Sequence, residues 1–380
     1  MSESKKVKLG EICERVTSGG TPKANVSSYY NPPTIPWLKT KEVNYCRITE
    51  TENYISEEGL KNSSAKLISP NSVIIAMYGQ GDTAGRIAIN KIPLATNQAC
   101  CNLTIDKSKA DYEFIYYQLC TLYDKLVSLK AGAAQPNLNA RIIKNLEIIM
   151  PSLPIQHRIA NILSRYDSLI ENYQKQIKLL EEAAQRLYKE WFIDLHFPGH
   201  ENTKVIDGVP DGWTPSKLGQ LAEFKRGKTI TKKDAIEGVI PVVAGGLEPA
   251  YYCNKSNTAE RVITVSGSGA NAGFTRMYFE NVWASDCSFV DASTTPFLHF
   301  IYCYLKDNKT TIDNMQKGAA QPHVYAKDIN SLELCIPIES VLKSFEGTAS
   351  KYFDTISSLQ SQIRLLTESR DRLLPKLMSS

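Results

Sequence analysis

Few residues of this 380-residue chain have the types and spacing needed for chemistry. His196 and His200 are four positions apart, the spacing at which two imidazoles on one helix face can share a zinc ion. They lie in the segment HFPGH, however, where Pro and Gly oppose a helix. No third His, Cys or carboxylate completes a ligand set, so the sequence predicts no metal site.

Two glycine-rich loops, GQGDTAG at 79–85 and GSGANAG at 267–273, have the Gly-x-Gly spacing of dinucleotide-binding loops. Such a site needs a helix N-terminus directly after the loop to hold the pyrophosphate. The segments that follow, RIAINK and FTRMYF, have the pattern of strands instead. The loops are therefore predicted to be tight turns that approach another surface closely.

The segment NPPT at 31–34 is similar to the NPPY loop with which amino-group DNA methyltransferases hold a flipped base. Thr34 stands where an aromatic residue would stack on that base, and no glycine-rich cofactor loop precedes it. A Pro-rich loop is the favoured interpretation, and an orphan DNA adenine methyltransferase is the least favoured alternative. With no GxSxG motif and no metal-nuclease pattern, the chain is predicted not to be an enzyme.

Composition indicates a globular protein of more than one domain. Charged residues make up 22% and the net charge is +4, which permits nucleic-acid binding without requiring it. Nine cysteines without CxxC spacing indicate reduced thiols in the core of a cytoplasmic protein. No apolar run is long enough to span a membrane, and the first residues lack the apolar stretch of a secretory signal.

An internal repeat organises the chain. Residues 132–151 read GAAQPNLNARIIKNLEIIMP, and residues 318–337 read GAAQPHVYAKDINSLELCIP, at a constant offset of 186 positions. The segments before them also correspond, since KLGE at 8–11 matches KLGQ at 217–220 and the two glycine loops match each other. A repeat of this kind predicts two modules of one fold in tandem.

A long helix with a heptad pattern is predicted after each module. Apolar residues recur in alternating steps of four and three, which is the a/d pattern of a coiled coil. In the first helix the series is Ile159, Leu163, Tyr166, Ile170, Tyr173, Ile177, Leu180, Ala184, Leu187 and Trp191. In the second it is Phe345, Ala349, Tyr352, Ile356, Leu359, Ile363, Leu366, Arg370, Leu373 and Leu377. We call these series the seam. Each helix is expected to bury its seam against the other helix, and an ordinary amphipathic core helix remains the alternative.

The predicted fold class is α+β, with two mixed α/β recognition domains in tandem and two long helices that pair as an antiparallel coiled coil. The predicted boundaries are 1–151 for the first domain, 152–193 for the first helix, 194–337 for the linker and second domain (core from about 213), and 338–380 for the second helix. The segments 110–129 and 296–315 are each expected to form one helix.

Candidate DNA contacts follow from residue type, because Lys and Arg bind phosphates while amides, hydroxyls and Arg recognise base edges. In the first half the candidates are Lys39, Thr40, Lys41, Gln80, Thr83, Arg86, Asn97, Gln98, Gln135, Asn137 and Arg141. In the second half they are Lys225, Arg226, Lys228, Lys232, Lys233, Ser266, Ser268, Asn271, Arg276, Gln321, His323 and Lys327.

The arguments for these candidates differ. Lys39 and Lys41 are expected at alternate positions of a strand, pointing to one face. The basic segment KRGKTITKK at 225–233 could follow a phosphate backbone or be a solvated loop. Gln135 and Gln321 are the same in both halves, so they are expected to support the fold or bind phosphate rather than recognise different bases.

In this order, and given twice, the motifs resemble those of the specificity subunits of type I restriction–modification systems. The resemblance covers essentially the whole chain. It depends on the KLG module starts, the glycine loops and the helix entry PIQHRIA, together with IPWLKTKEV at 35–43, ATNQA at 95–99, GAAQPNLNA at 132–140 and DGVPDGW at 207–213.

The resemblance implies two target-recognition domains that each recognise one half of a split, asymmetric DNA site, with the paired helices setting the distance between the halves. It also implies two adenine methyltransferase subunits, which bind S-adenosylmethionine, and motor–nuclease subunits as partners. This chain would bind no cofactor and catalyse nothing. The alternative from another class is a coiled-coil scaffold that joins two protein-binding modules.

Overall fold

The computed structural model describes residues 4–130, 137–318 and 321–378, which form two compact units. Unit 1 comprises Met1–Glu171 with Arg364–Ser380, and unit 2 comprises Asn172–Ile363. Each unit therefore holds one α/β domain, part of the first long helix and part of the second.

Eleven strands, four shorter α-helices and parts of the two long helices build the described part of unit 1. The strands are β1 Lys5–Lys8, β2 Cys13–Ser18, β3 Ile35–Leu38, β4 Cys46–Ile48, β5 Tyr54–Ile55, β6 Leu67–Ile68, β7 Val73–Ala76, β8 Ile87–Asn90, β9 Leu94–Thr96, β10 Cys100–Ile105 and β11 Glu147–Met150. The helices are α1 Glu57–Lys61, α2 Tyr112–Thr121, α3 Tyr123–Ser128, α4 Ala140–Lys144 and α5 Leu153–Phe192.

Two sheets and a short ribbon organise these strands. One sheet has the order β2-β10-β7-β8-β4, the other has the order β5-β3-β9-β6, and β1 pairs with β11. In the first sheet β4 joins β8 in parallel, while the other neighbours are antiparallel. The strand β7, VIIA, is buried on both faces, which suits its β-branched residues, and α2 packs on one of those faces.

Unit 2 repeats this frame. Its strands are β12 Val205–Ile206, β13 Val209–Pro210, β14 Thr214–Lys217, β15 Lys225–Arg226, β16 Ile240–Val243, β17 Tyr251–Cys253, β18 Val262–Ser266, β19 Thr275–Tyr278, β20 Trp283–Ala284, β21 Cys287–Asp291 and β22 Glu333–Ile336. Its helices are α6 Leu218–Leu221, α7 Leu298–Asp307, α8 Lys309–Asn314, α9 Ala326–Asn330 and the first part of α10, which spans Glu339–Met378.

The sheets of unit 2 follow the same order with one difference. The larger sheet is β15-β21-β18-β19, the second is β17-β16-β20, and β14 pairs with β22 as β1 pairs with β11. The larger sheet has four strands where unit 1 has five. The prediction of two mixed α/β modules in tandem is confirmed.

Each segment that we expected to form one domain helix is divided in two. In unit 1 the chain leaves the helical geometry at Leu122, between α2 and α3, and in unit 2 it does so at Asn308, between α7 and α8. The prediction of a single helix over 110–129 and of another over 296–315 was therefore wrong, because each segment forms two helices. Hydrophobic periodicity continues through both breaks, because α3 and α8 still bury Leu126 and Ile312.

The long helices pair antiparallel, as predicted. In unit 1 the start of α5 and the end of α10 share a core, where Ile159 and Leu163 meet Leu373 and Leu377. In unit 2 the end of α5 and the start of α10 share a core that includes Trp191 and its neighbours. The start of one helix therefore packs with the end of the other in both units.

The buried face of each helix is broader than the seam. In unit 2 Tyr188 and Phe353 are also buried, each one position after the predicted Leu187 and Tyr352, which are only partly buried. Both helices also pack on α7, so they bury a wide face rather than a narrow coiled-coil stripe. The seam residues themselves are all buried or partly buried.

The helix entry of unit 1 is held by Gln156, which is 1% exposed. Its carbonyl oxygen accepts the Asp111 N–H at 3.0 Å, and its amide donates to Pro151 O at 2.9 Å. Asp111 in turn caps α2 by accepting the Phe114 N–H. At the matching position of unit 2 stands the buried Leu342, so this polar contact belongs to unit 1.

Candidate nucleic-acid interface

The glycine loop of unit 1 is anchored at its base and open at its tip. Thr83 Oγ1 donates to Gln80 O at 2.6 Å, and the Tyr123 hydroxyl donates to Asp82 O at 2.8 Å. Gly81, with φ +61°, has no atom within 4 Å of the place where a Cβ would stand. The exposed Gln80 side chain is thus presented next to backbone that another surface can approach.

Arg86 is already engaged within this loop. Its guanidinium donates to Asp82 Oδ1 at 2.6 Å and to Asn44 Oδ1 at 3.0 Å. The hydrogen bond from Arg86 holds the pKa of the Asp82 carboxyl below its usual range. Phosphate binding by Arg86 would therefore have to compete with an internal carboxylate.

Other candidates of unit 1 surround the same loop. Leu138 N–H donates to Met77 O at 3.0 Å, which places the neighbouring Asn137 beside the loop. Met77 N–H donates to Ala99 O at 2.7 Å and so adds the turn that carries Asn97 and Gln98. The structure thus brings these candidates to one end of the larger sheet. Gln135 lies outside the described residues.

The geometry predicted around Lys39 and Lys41 was wrong. Strand β3 ends at Leu38, and Thr40–Glu42 forms a 3-10 helix, so the two lysines are not alternate residues of a strand. The Lys39 ammonium lies 5.1 Å from the centre of the Trp37 ring and donates to Asn53 Oδ1 at 2.9 Å. Lys41 is exposed and pairs with Glu52, which raises the pKa of its ammonium group.

In unit 2 the glycine loop meets the segment that follows the second GAAQP motif. Gly269 N–H donates to Pro322 O at 3.0 Å, and Ser268 forms an isolated β-bridge with His323. The Ser268 hydroxyl also donates to the Asp286 carboxylate. Exposed Gln321 is adjacent to this contact, so several of the predicted side chains share one surface.

An aromatic residue that the sequence interpretation missed completes this surface. Tyr325 is 41% exposed and lies parallel to the His323 ring, with ring centres 5.9 Å apart. The Lys327 ammonium is 5.8 Å from the centre of the same Tyr325 ring. Tyr325 lies in the segment HVYAK, where aromatic and aliphatic residues alternate. In an extended chain this alternation places His323 and Tyr325 on one face, so it could have indicated that their rings stack.

The basic segment adjoins the glycine loop of unit 2. Lys225 and Arg226 are exposed on β15, and Lys228 N–H donates to Ala284 O at 2.9 Å. The chain from Ala284 leads directly to Asp286, which binds Ser268. Further along the basic segment, Lys232 and Lys233 are also exposed.

Four further candidates are buried, already bonded within the chain, or away from these clusters. Ser266 is 3% exposed, so its hydroxyl is not presented to solvent. Arg276 donates to Leu247 O at 2.7 Å and pairs with Glu248. Arg141 is exposed on α4, while Asn271 donates to Gly245 O at 3.4 Å.

Comparison with known proteins identifies the family. The profile of the family described as "Type I restriction modification DNA specificity domain" matches residues 1–182 and again residues 210–372. The chain belongs to this family, with two copies of its domain, and is a specificity subunit of a type I restriction–modification system.

Individual relatives agree with this assignment. The MjaIX specificity subunit of Methanocaldococcus jannaschii is 29% identical over 98% of this chain and 92% of its own length. A putative type I specificity subunit of Mycoplasma genitalium is 25% identical over 78% of this chain and 79% of its own length. The crystal structure of an M. genitalium S subunit shares the fold, with a TM-score of 0.63 at 18% identity, covering 99% of this chain and 96% of that one.

Two further observations concern the described residues only. None of the helices in residues 4–130, 137–318 and 321–378 is both long and apolar enough to cross a membrane. Within the same ranges, no three His, Cys, Asp or Glu side chains are grouped so that they could hold a metal ion.

Proposed function

We propose that the chain recognises an asymmetric, bipartite DNA site, with one half-site contacted by each domain. The observation that supports this proposal is that both units present a glycine loop and its neighbours at one end of the same sheet frame, while the side chains on that surface differ. Gln80 and Asn137 stand in one unit, whereas Ser268 and His323 stand in the other. Identical modules would favour a palindromic site, and unlike modules favour an asymmetric one.

The proposed phosphate contacts are the basic residues with exposed side chains, and the proposed base contacts are the polar residues on the glycine loops. Lys225, Arg226 and Lys228 carry three positive charges on exposed positions that flank Gly227. Side chains on open glycine loops can approach base edges closely. The stacked rings of His323 and Tyr325 add an apolar surface beside those polar groups.

The chain would work within a larger complex and catalyse nothing itself. Two methyltransferase subunits, which bind S-adenosylmethionine, and motor–nuclease subunits are the proposed partners. The paired long helices would set the separation of the two half-sites.

Methylome sequencing of the host with and without this chain is the direct test. We expect one split, asymmetric methylated motif to disappear when the chain is removed. Native mass spectrometry should find methyltransferase subunits in the purified complex, and their absence would contradict the proposal. The isolated chain should transfer no labelled methyl group to DNA, whereas transfer would revive the orphan methyltransferase.

A salt series separates DNA recognition from a protein-binding scaffold. Phosphate contacts make the affinity for DNA fall steeply as salt rises. A scaffold that binds only proteins would give no salt-dependent shift of a DNA probe.

A further inference from the structure

The larger sheet of unit 1 has a fifth strand that unit 2 lacks. In unit 1 the chain between β3 and β5 spans residues 39–53 and includes β4. That strand binds the edge of β8, since Tyr45 N–H donates to Ile87 O and Lys91 N–H donates to Ile48 O, both at 2.7 Å. In unit 2 only residues 244–250 connect the corresponding strands β16 and β17.

The edge strand of unit 2 corresponds to the covered strand of unit 1. Gly85 N–H donates to Ala76 O at 2.8 Å in unit 1, and Gly273 N–H donates to Ser266 O at 2.9 Å in unit 2. These equivalent turns align β8 with β19 and Ile87 with Thr275. Strand β19 is the last strand of its sheet, so its outer edge has no strand partner among the described residues.

The outer edge of β19 offers regularly spaced backbone groups. Ser266 N–H donates to Phe274 O at 2.9 Å, which fixes the alternation of the antiparallel pair. The N–H and C=O groups of Thr275 and Met277 therefore point away from β18. Each residue is only 5% exposed, so these groups face the cavity that lies along the edge rather than bulk solvent. In unit 1 the equivalent groups are those to which β4 binds.

A cavity lies along this open edge. It has a volume of about 410 Å³ and is lined by β19, by Tyr302 and Lys306 of α7, and by Glu181 and Phe353 of the long helices. In unit 1 the corresponding space is occupied, because Arg47 of β4 contacts Glu113 and Tyr117 of α2 there. The cavity of unit 2 is thus where a fifth strand would stand.

The cavity wall carries two charged groups, Lys306 and Glu181, that attract each other without contact as an ion pair. Lys306 lies over the rings of Tyr302 and Phe274, at 5.3 and 5.7 Å from their centres. Neither Lys306 nor Glu181 forms an ion pair within the described part of the chain. Burial lowers the pKa of the Lys306 ammonium and raises the pKa of the Glu181 carboxyl. Both groups would gain from a bound molecule that offers acceptors and donors together.

A polypeptide strand offers both hydrogen-bond acceptors and hydrogen-bond donors, which a nucleic-acid backbone does not. A phosphodiester backbone offers only acceptors and negative charge, so it could satisfy Lys306 and Arg276 but would leave Glu181 and Glu248 of the same wall facing a like charge. A peptide backbone supplies N–H groups for a carboxylate and C=O groups for an ammonium. Peptides add to exposed sheet edges in this way in many complexes.

We propose that the outer edge of β19 accepts an extended segment of the methyltransferase subunit as a fifth strand, in the place that β4 takes in unit 1. This inference rests on the proposed function for the identity of the partner. Unit 1, whose edge is already covered by its own chain, would bind the partner without such a strand. The two domains would therefore make unlike contacts with the two methyltransferase copies.

Hydrogen exchange followed by mass spectrometry tests the proposal on the full chain, alone, with DNA and with the methyltransferase subunit. In the complex, we expect exchange of the amides of Thr275, Met277 and Phe279 to slow by at least about tenfold. The amides of β8 provide the internal control, because they should be protected in every state. A complex in which the β19 amides exchange as fast as in the free chain would overturn this proposal and leave the proposed function standing.

The other outcomes are also decisive. Equal protection by DNA alone would show that DNA, not a protein strand, covers the edge. Failure to form any complex with the methyltransferase subunit would contradict the proposed function and this inference together.

Substitutions in the cavity wall give a second readout. Lys306→Gln and Glu181→Gln should each weaken binding of the methyltransferase subunit about tenfold, because each removes one charged hydrogen-bonding group. Lys175→Gln, at an exposed position of the same helix α5, is the matched control and should leave binding unchanged. Unchanged binding by both cavity variants, with native circular dichroism, would count against the proposal.

Discussion

Arg370 of α10 donates from Nη1 to Asp167 Oδ1 of α5 at 2.6 Å, joining residues 203 positions apart. Asp167 also accepts from the Tyr117 hydroxyl and pairs with Arg47 at 3.0 Å. The side chains of Arg47 and Asp167 are only 5% and 8% exposed, so this is a buried ionic cluster. It ties the domain of unit 1 to both long helices.

The equivalent contact of unit 2 is apolar. At the offset of 186, Asp167 corresponds to Phe353, Arg370 to Ala184 and Tyr117 to Cys303. All three are buried in one hydrophobic core. The two halves of the repeat therefore fill equivalent positions with different side chains, which are charged and hydroxyl groups in unit 1 and apolar groups in unit 2.

Removal of Arg47 should destabilise unit 1 strongly. Arg47→Ala removes the guanidinium shared by Glu113 and Asp167 and leaves these buried carboxylates with only Lys91 and Arg370 as basic partners; breaking a buried pair costs about 3–5 kcal/mol. The midpoint of urea unfolding, followed by fluorescence, measures the loss. Lys41→Ala is the control, since its exposed pair with Glu52 should contribute less than about 1 kcal/mol. Equal effects of the two variants would contradict the assigned importance of the cluster.

Neutralising the basic segment should weaken DNA binding at every sequence. In the variant Lys225→Ala, Arg226→Ala, Lys228→Ala, each lost phosphate contact should reduce the slope of log affinity against log salt by about 0.9. Fluorescence anisotropy with specific and unrelated duplexes across a salt series measures this. Lys175→Ala, at an exposed helix position, is the control and should leave the slope unchanged. A triple variant with the original slope would show that 225–228 is a solvated loop.

The two glycine loops should affect different half-sites. Gln80→Ala should relax base preference in one half-site and Ser268→Ala in the other, each by about 1–3 kcal/mol for a lost base contact. Methylome sequencing of hosts that carry each variant identifies which half changes. Each variant serves as the control for the other, and relaxation of the same half by both would refute the assignment of one half-site per domain.

Shortening both long helices should move the half-sites closer together. Deleting 170–176 from α5 and 356–362 from α10 removes one heptad from each helix, so the pair stays in phase. Seven residues correspond to about 10 Å of helix, or about three base pairs of DNA. Methylome sequencing should show the shorter spacer. Deletion from α5 alone should disturb helix pairing and abolish binding, and an unchanged spacer in the double deletion would contradict the proposed role of the helices.

The thiols should react slowly while the chain is folded. Burial raises the pKa of Cys13, Cys101, Cys120 and Cys287 to about 12, so little thiolate forms at pH 8. Titration with Ellman's reagent should detect few fast thiols in the native chain and all nine in guanidinium chloride. Nine fast thiols in the native chain would contradict the packing described for both units.

The periodic features of the fold could be predicted from the sequence, whereas its long-range polar contacts could not. The heptad series indicated the antiparallel helix pair, because apolar spacing depends only on nearby residues. Arg47 carries no local signal that it is buried, since its partners Glu113 and Asp167 come from distant segments. The lysines near β3 were misplaced for a related reason: a 3-10 turn at Thr40 replaces the strand geometry assumed from local pattern.

The candidate interface was predicted in part. Glycine loops and basic residues are visible in a sequence, and the structure brings many of them to one end of each sheet. The burial of Ser266 and the stacking of Tyr325 on His323 depend on neighbours that sequence spacing does not specify.

The buried charges of unit 1 also limit how such a chain can be shuffled. A recognition domain moved from the second position to the first would bring His299 and Cys303 to the places of Glu113 and Tyr117, with no strand-borne arginine to meet Asp167. Asp167 would then keep Arg370 but lose its contacts with Arg47 and Tyr117, and this loss would destabilise the graft. Exchange of domains between related chains should accordingly succeed between like positions and fail between unlike ones, so Asp167 gives the first position an identity that the loops proposed to contact DNA do not carry.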